Sequence, residues 1–137
     1  MFNEVGIRTD ICTDIVKELW IKAIINSSIN PLTTIFDCKN GYLQKNPVLY
    51  NLVEIICKES TNIAKSINIK IDDKRMISIT KDVISKTADN YSSMHQSYFK
   101  GKKTEIDSIN GRLLDIAKKN NIDCYMNEFL VYCIKYL

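Results

Sequence analysis

Apolar residues recur three and four positions apart in nearly every segment of the chain, and two-residue alternation is hard to find, so the pattern predicts an all-α protein. The first predicted helix covers residues 11–29, where Trp20, Ile21, Ile24, Ile25 and Ile29 occupy most of the circumference. Pro31 has no backbone donor and disfavours helical geometry in the residue before it, which predicts that this helix ends there. Asn30 then fits as the cap of a short following helix with Pro31 in its first position. Asn40-Gly41 marks a turn. Asn46 and Pro47 cap and open a long helix whose core stripe includes Leu49, Leu52, Val53, Ile56, Ile63, Ala64 and Ile67.

Asp72 or Asp73 caps the next helix, which buries Met76, Ile79, Val83, Ile84, Thr87 and Ala88 and runs out near "DNYSSM". Thr104 is the expected cap of a further helix, with Glu105 and Asp107 in its first turn and Ile106, Ile109, Leu113, Ile116 and Ala117 facing inward. Gly111 lies inside that helix, where close approach of a neighbouring helix would explain it. Asn127 is expected to begin the last helix, with Phe129, Leu130, Cys133, Ile134 and Leu137 as its apolar side.

Against this pattern, "WIKAIINSSINPL" carries Lys22, Asn26 and Asn30 at intervals of four. Each such step turns the helix roughly 40° past a full rotation and rises about 6 Å, so the three form one stripe about 12 Å long. Two readings fit: the wet side of an amphipathic helix, or the polar wall of a cleft. An ammonium can donate a proton or stabilise a developing oxyanion, and two amides can fix a small polar ligand through donors and acceptors alike. A second polar cluster, "SSMHQSYFKGKKTEID" at 92–107, places Ser92 and Ser93 where one helix should end and Glu105 where another should begin. Taken alone, these are a terminal hydroxyl and a first-turn acid, but they can also project into a space between helices.

Composition narrows the chemistry. At 137 residues, 45% hydrophobic and 26% charged, the chain has the balance of one globular domain and needs no metal or disulfide to build a core. No apolar run approaches the ~20 residues that cross a bilayer, and the start does not resemble a secretory signal. Five scattered cysteines without a C-x-x-C pair read as reduced thiols, hence a cytoplasmic protein, and a lone histidine, His95, leaves a zinc site or a Cys/His nucleophile with little to draw on. A net charge of +3 is too small to argue for nucleic acid, and "KGKK" around Gly101 reads as a solvated loop.

The segments "KAIINSSINPLT" at 22–33, "NGYL" at 40–43, "DNYSSMHQ" at 89–96 and "KKTEIDSINGRLLDIAKKNNI" at 102–122 resemble, in order and interval, the C-terminal domain of ketopantoate reductases, or 2-dehydropantoate 2-reductases. The resemblance implies a helical substrate domain of the 6-phosphogluconate dehydrogenase C-terminal-like kind, covering 1–137. It implies a family reaction in which NADPH reduces a 2-keto acid, ketopantoate, to pantoate on the route to pantothenate and coenzyme A. The family's catalytic lysine falls on Lys22, its substrate-binding positions on Asn26, Asn30, Asn40 and Ser93, and its acid near lysine and cofactor on Glu105. Asn90 matches a polar position beside that pocket. Glu105 is expected to hold Lys22 by a charged hydrogen bond.

The chain shows no strand followed by G-x-G-x-x-G and has only four glycines, so the NADPH-binding Rossmann domain is expected to lie outside it. The isolated domain is then expected to be inactive. Expected partners are a small 2-keto acid, that Rossmann domain and, through apolar surface left bare, a second copy of the chain. Two other readings stay open: a reductase of a different 2-keto acid, and a non-catalytic helical interaction module.

Overall fold

The computed structural model describes the backbone of residues 2–137 and the side chains from residue 15 onward; the side chain of Cys12 and those around it lie outside what is described. Among the described residues seven α-helices follow in order: α1 (Phe2–Ile35), α2 (Tyr42–Lys45), α3 (Pro47–Ser66), α4 (Asp73–Lys86), α5 (Ser93–Phe99), α6 (Arg112–Lys119) and α7 (Tyr125–Lys135). A π-turn at Asp107–Gly111 leads directly into α6. No strand occurs among the described residues, as the all-α reading requires.

The long helix α1 is the central member, packed against α3, α4, α5, α7 and the π-turn. Its Ile29 and Leu32 enter the largest core cluster with Leu49, Val53 and Ile56 of α3, Ile84 of α4 and Leu130 of α7. Ile24 packs with Cys57, Ala64 and Met76 in a second cluster, and Leu113 and Ala117 of α6 meet Ile63 of α3 in a third. The cap signals operate as expected. Asn46 Oδ1 accepts from the Val48 and Leu49 N–H groups, with Pro47 in the first helical position. Asp72 accepts from the Arg75 N–H at 3.0 Å.

Four local expectations are corrected. First, α1 does not stop before Pro31 but continues to Ile35, with Pro31 inside it. An interior proline costs about 3 kcal/mol, and tertiary contacts offset it: Pro31 and Leu32 are buried, and Thr33 Oγ1 lies 2.7 Å from Ser92 Oγ at the start of α5. Second, the helix expected from Thr104 begins instead with the π-turn at Asp107, without a side-chain cap. Third, a Cβ on Gly111 would meet its nearest neighbours at an ordinary 3.5 Å, so no helix crowds it; among the described glycines Gly41 is the crowded one, where a Cβ would stand 2.7 Å from Ala88 Cβ. Fourth, Asn127 lies within the first turn of α7 and is buried, whereas Phe129 and Leu137 face outward at 57% and 52% exposure. The cap that α7 lacks in its own sequence comes from α3. Glu59 accepts from the Asn127 N–H through Oε1 at 2.8 Å and from the Met126 N–H through Oε2 at 3.1 Å, a carboxylate set on a helix N-terminus.

Candidate functional site

The stripe on α1 is graded. Lys22 is exposed, Asn26 is half-buried and Asn30 is only 6% exposed, so the row descends from solvent into the protein. The descent follows from packing. Around Asn30 the helix is enclosed by α3, α4 and α5, whereas Ile15, Val16 and Leu19 toward its N-terminus are exposed.

At the buried end, hydrogen bonds gather the segments that were separate in sequence. The Thr33 hydroxyl donates to the Asn30 carbonyl at 3.0 Å, which leaves its oxygen to accept from the Ser92 hydroxyl at 2.7 Å. Ser92 in turn accepts from the His95 N–H and caps α5, placing Ser93 in the first helical position with its side chain exposed. The Asn40 N–H donates to the Asn90 carbonyl at 2.9 Å and the Gly41 N–H to the Ala88 carbonyl at 3.0 Å, so the "NG" turn docks on the loop that precedes Ser92. Asn40 Nδ2 donates to Thr87 Oγ1, and the buried Asn40 Oδ1 has no partner. Asn30, Asn40, Asn90 and Ser93 therefore belong to one braced corner.

At the open end, Lys22 and Glu105 are both exposed, and the charged hydrogen bond expected between them is not formed among the described residues. Glu105 uses its carbonyl, not its carboxylate, to start the π-turn, accepting from the Ser108 and Ile109 N–H groups. Between these two segments runs a groove of about 360 Å³, with Leu19, Trp20 and Ala23 on one wall and Ile109, Arg112 and Leu113 on the other. The polar stripe flanks this groove; at 100° per residue, Lys22 stands roughly a quarter turn around α1 from its centre.

Several buried polar residues were missed in sequence. Asn110, Asn127, Ser27 and Ser60, all buried, form a network with the half-buried Glu59. The signal was there in Asn110, an amide inside an otherwise apolar stripe, and in Pro31, whose missing donor must leave one carbonyl in search of a partner. His95 is structural: it stacks between Tyr91 and Phe99 at 4.3 and 4.4 Å, and its Nε2 lies 2.7 Å from Asp37 Oδ1. Burial pushes the thiols of Cys38 and Cys57 up, and Cys124 up to about 11, the opposite of what a nucleophilic thiolate needs.

Comparison with known proteins agrees with this architecture. The family described as ketopantoate reductase PanE/ApbA C terminal matches residues 14–137, and the chain belongs to that family. The 2-dehydropantoate 2-reductase of Pyrococcus horikoshii is 36% identical over 134 residues, spanning 98% of this chain and 44% of the relative. Among solved structures, the probable 2-dehydropantoate 2-reductase of Bacillus subtilis superimposes with a TM-score of 0.80 at 32% identity, over 85% of this chain and 38% of that one. D-mandelate dehydrogenase with NADH and anilino(oxo)acetate gives a TM-score of 0.84 at 28% identity, over 90% and 41%. The chain thus spans less than half the length of these relatives.

Proposed function

We propose that this chain is the helical substrate domain, residues 1–137, of an NADPH-dependent 2-dehydropantoate 2-reductase, reducing ketopantoate to pantoate. The observation that carries the reading is the graded stripe: an exposed ammonium at one end, where a cofactor-bearing domain can close over it, and sunken amides at the other, where a small acid can be held. When bound, NADPH, held mainly by a Rossmann domain preceding this one, supplies the hydride to the ketone carbon. Glu105 suits that neighbour, because its exposed carboxylate has no ion-pair partner among the described residues and can accept from a ribose hydroxyl or an amide.

Lys22 Nζ donates the proton to the ketone oxygen, neutralising charge as it develops. The Asn26 and Asn30 amides and the Ser93 hydroxyl orient the carboxylate and hydroxyl of the keto acid. Asn40 contributes through its unpartnered Oδ1, while one N–H of its Nδ2 is held by Thr87. The test is an assay of the full-length protein: NADPH oxidation on addition of 2-dehydropantoate, with one pantoate formed per cofactor oxidised. Absence of turnover with this substrate would overturn the assignment.

A second reading keeps the chemistry and changes the acid. It is favoured by the likeness to D-mandelate dehydrogenase, whose structure holds NADH and anilino(oxo)acetate. A higher kcat/KM with an aryl 2-keto acid and NADH than with 2-dehydropantoate and NADPH would select it. Self-association is a further proposal, supported by the outward row of Tyr125, Phe129 and Tyr132 on α7 and Tyr136 just after it. Light scattering over a concentration series tests it, and a monomer throughout would reject it.

A further inference from the structure

A proline inside a helix leaves the carbonyl four residues earlier without its N–H partner. In α1 that carbonyl belongs to Ser27, which is fully buried, so water cannot replace the lost bond. Asn110 Nδ2 lies 3.2 Å from it, donated from the π-turn across the helix interface. The second N–H of the same amide goes to Asn127 Oδ1 at 2.9 Å. Neighbours fix which way these amides face. Asn127 Nδ2 donates to Glu59 Oε1 at 2.8 Å and to Ser60 Oγ at 3.3 Å, so Asn127 presents its oxygen, and Asn110 must present nitrogen to both acceptors. Asn110 is fully buried and its Oδ1 has no partner, so it is kept for its two donors alone. The Ser27 and Ser60 hydroxyls, 2.9 Å apart, close the network.

The placement matters as much as the bond. Ser27 follows Asn26 and precedes Asn30 on α1, while Asn110 stands five residues after Glu105. The wider π-turn, in which the Gly111 N–H reaches back to the Ile106 carbonyl at 2.9 Å, is what carries Asn110 at this register. We propose that Asn110 is a positioning residue of the substrate wall. Its amide replaces the donor that Pro31 lacks and thereby locks the α1 turn bearing Asn26 and Asn30 to the segment bearing Glu105. The positioning role rests on reading that stripe as the substrate wall; the Asn110–Pro31 complementarity does not.

The two parts are separated by one double-mutant cycle in the full-length protein, with Asn110→Ala, Pro31→Ala and the double variant. Alanine at 31 restores an N–H to the Ser27 carbonyl, so it should make Asn110 partly redundant. Asn110→Ala alone is expected to lower Tm by about 3 °C or more and to raise the KM for 2-dehydropantoate about tenfold, while the KM for NADPH moves less than twofold. Pro31→Ala on top should recover at least half of both losses. If the Tm losses simply add, the complementarity is wrong. Coupled Tm losses with an unchanged keto-acid KM would leave the bond and sink the positioning role. Wild-type protein inactive on every 2-keto acid would overturn the substrate reading and the positioning role with it, while the Tm cycle still judges the bond. If Asn110→Ala does not fold in either background, Asn110→Ser, a milder truncation, carries the same cycle.

Discussion

The two ends of one polar stripe on α1 live in different surroundings. Lys22 stands in solvent with no ion-pair partner among the described residues, beside an open groove. Eight residues on, Asn30 sits in a corner where Thr33, Ser92 and the docked Asn40–Asn90 pair are joined by hydrogen bonds, one helix turn from the Ser27–Asn110–Asn127 network. The contrast separates two requirements of a site of this kind. Groups that orient a ligand gain from a rigid, desolvated frame, because misplacement by a fraction of an ångström weakens every contact. A group that must meet a second body has to remain accessible until that body arrives.

Substitutions at the two ends should therefore fail differently. The largest effect is expected from Lys22→Ala in the full-length protein: turnover falling ~10²- to 10⁴-fold with the melting temperature unchanged, because an exposed side chain is removed. Wild-type turnover in that variant would reject Lys22 as proton donor. Glu59→Ala attacks the buried end instead, leaving the first turn of α7 uncapped and Asn127 Nδ2 short of an acceptor. A loss of about 3 kcal/mol in urea unfolding is expected; a loss within error would mean that the network is dispensable.

Gly41→Ala is smaller and more local. Its Cβ would meet Ala88 Cβ at 2.7 Å and the Ala88 carbonyl oxygen at 2.9 Å, so the "NG" turn must shift off the loop that bears Asn90. We expect about 1–2 kcal/mol of destabilisation, measured by the same unfolding curve, and a raised keto-acid KM; a neutral variant would show that the turn can slide freely.

The effect that is smallest near neutral pH is one of protonation. Burial first, and then Glu59, raises the Cys124 thiol from 9.0 to about 11 in the folded chain. An unfolded chain loses that proton near 9.0 while the folded chain keeps it, so stability is fully present below pH 9.0 and declines as pH rises toward about 11. Cys124→Ala should flatten that decline in unfolding measured across the range, and an unchanged slope would exclude Cys124 as its source.

How far the sequence carried the fold can be judged residue by residue. Caps at Asn46 and Asp72, the Asn40-Gly41 turn and the core positions of α3 and α6 were legible because each depends on neighbours within a few residues. The start of α7 was not, since its cap is Glu59, 67 and 68 residues away in sequence from the two N–H groups it accepts from. Lys22, Asn26 and Asn30 could be placed on one face from spacing, but the gradient of burial along them could not, because it depends on which helices enclose the lower half of α1.

Pro31 marks the division most sharply. Local rules ended the helix there, and they are right about the cost: the chain lacks one donor, and no neighbour in sequence supplies it. Sequence by itself determined the all-α class, the stripe and the family resemblance, since periodicity and short motifs are properties of adjacent residues. Only the tertiary structure decided that α1 runs on to Ile35, because the amide that satisfies the Ser27 carbonyl arrives from Asn110, 83 residues further along the chain.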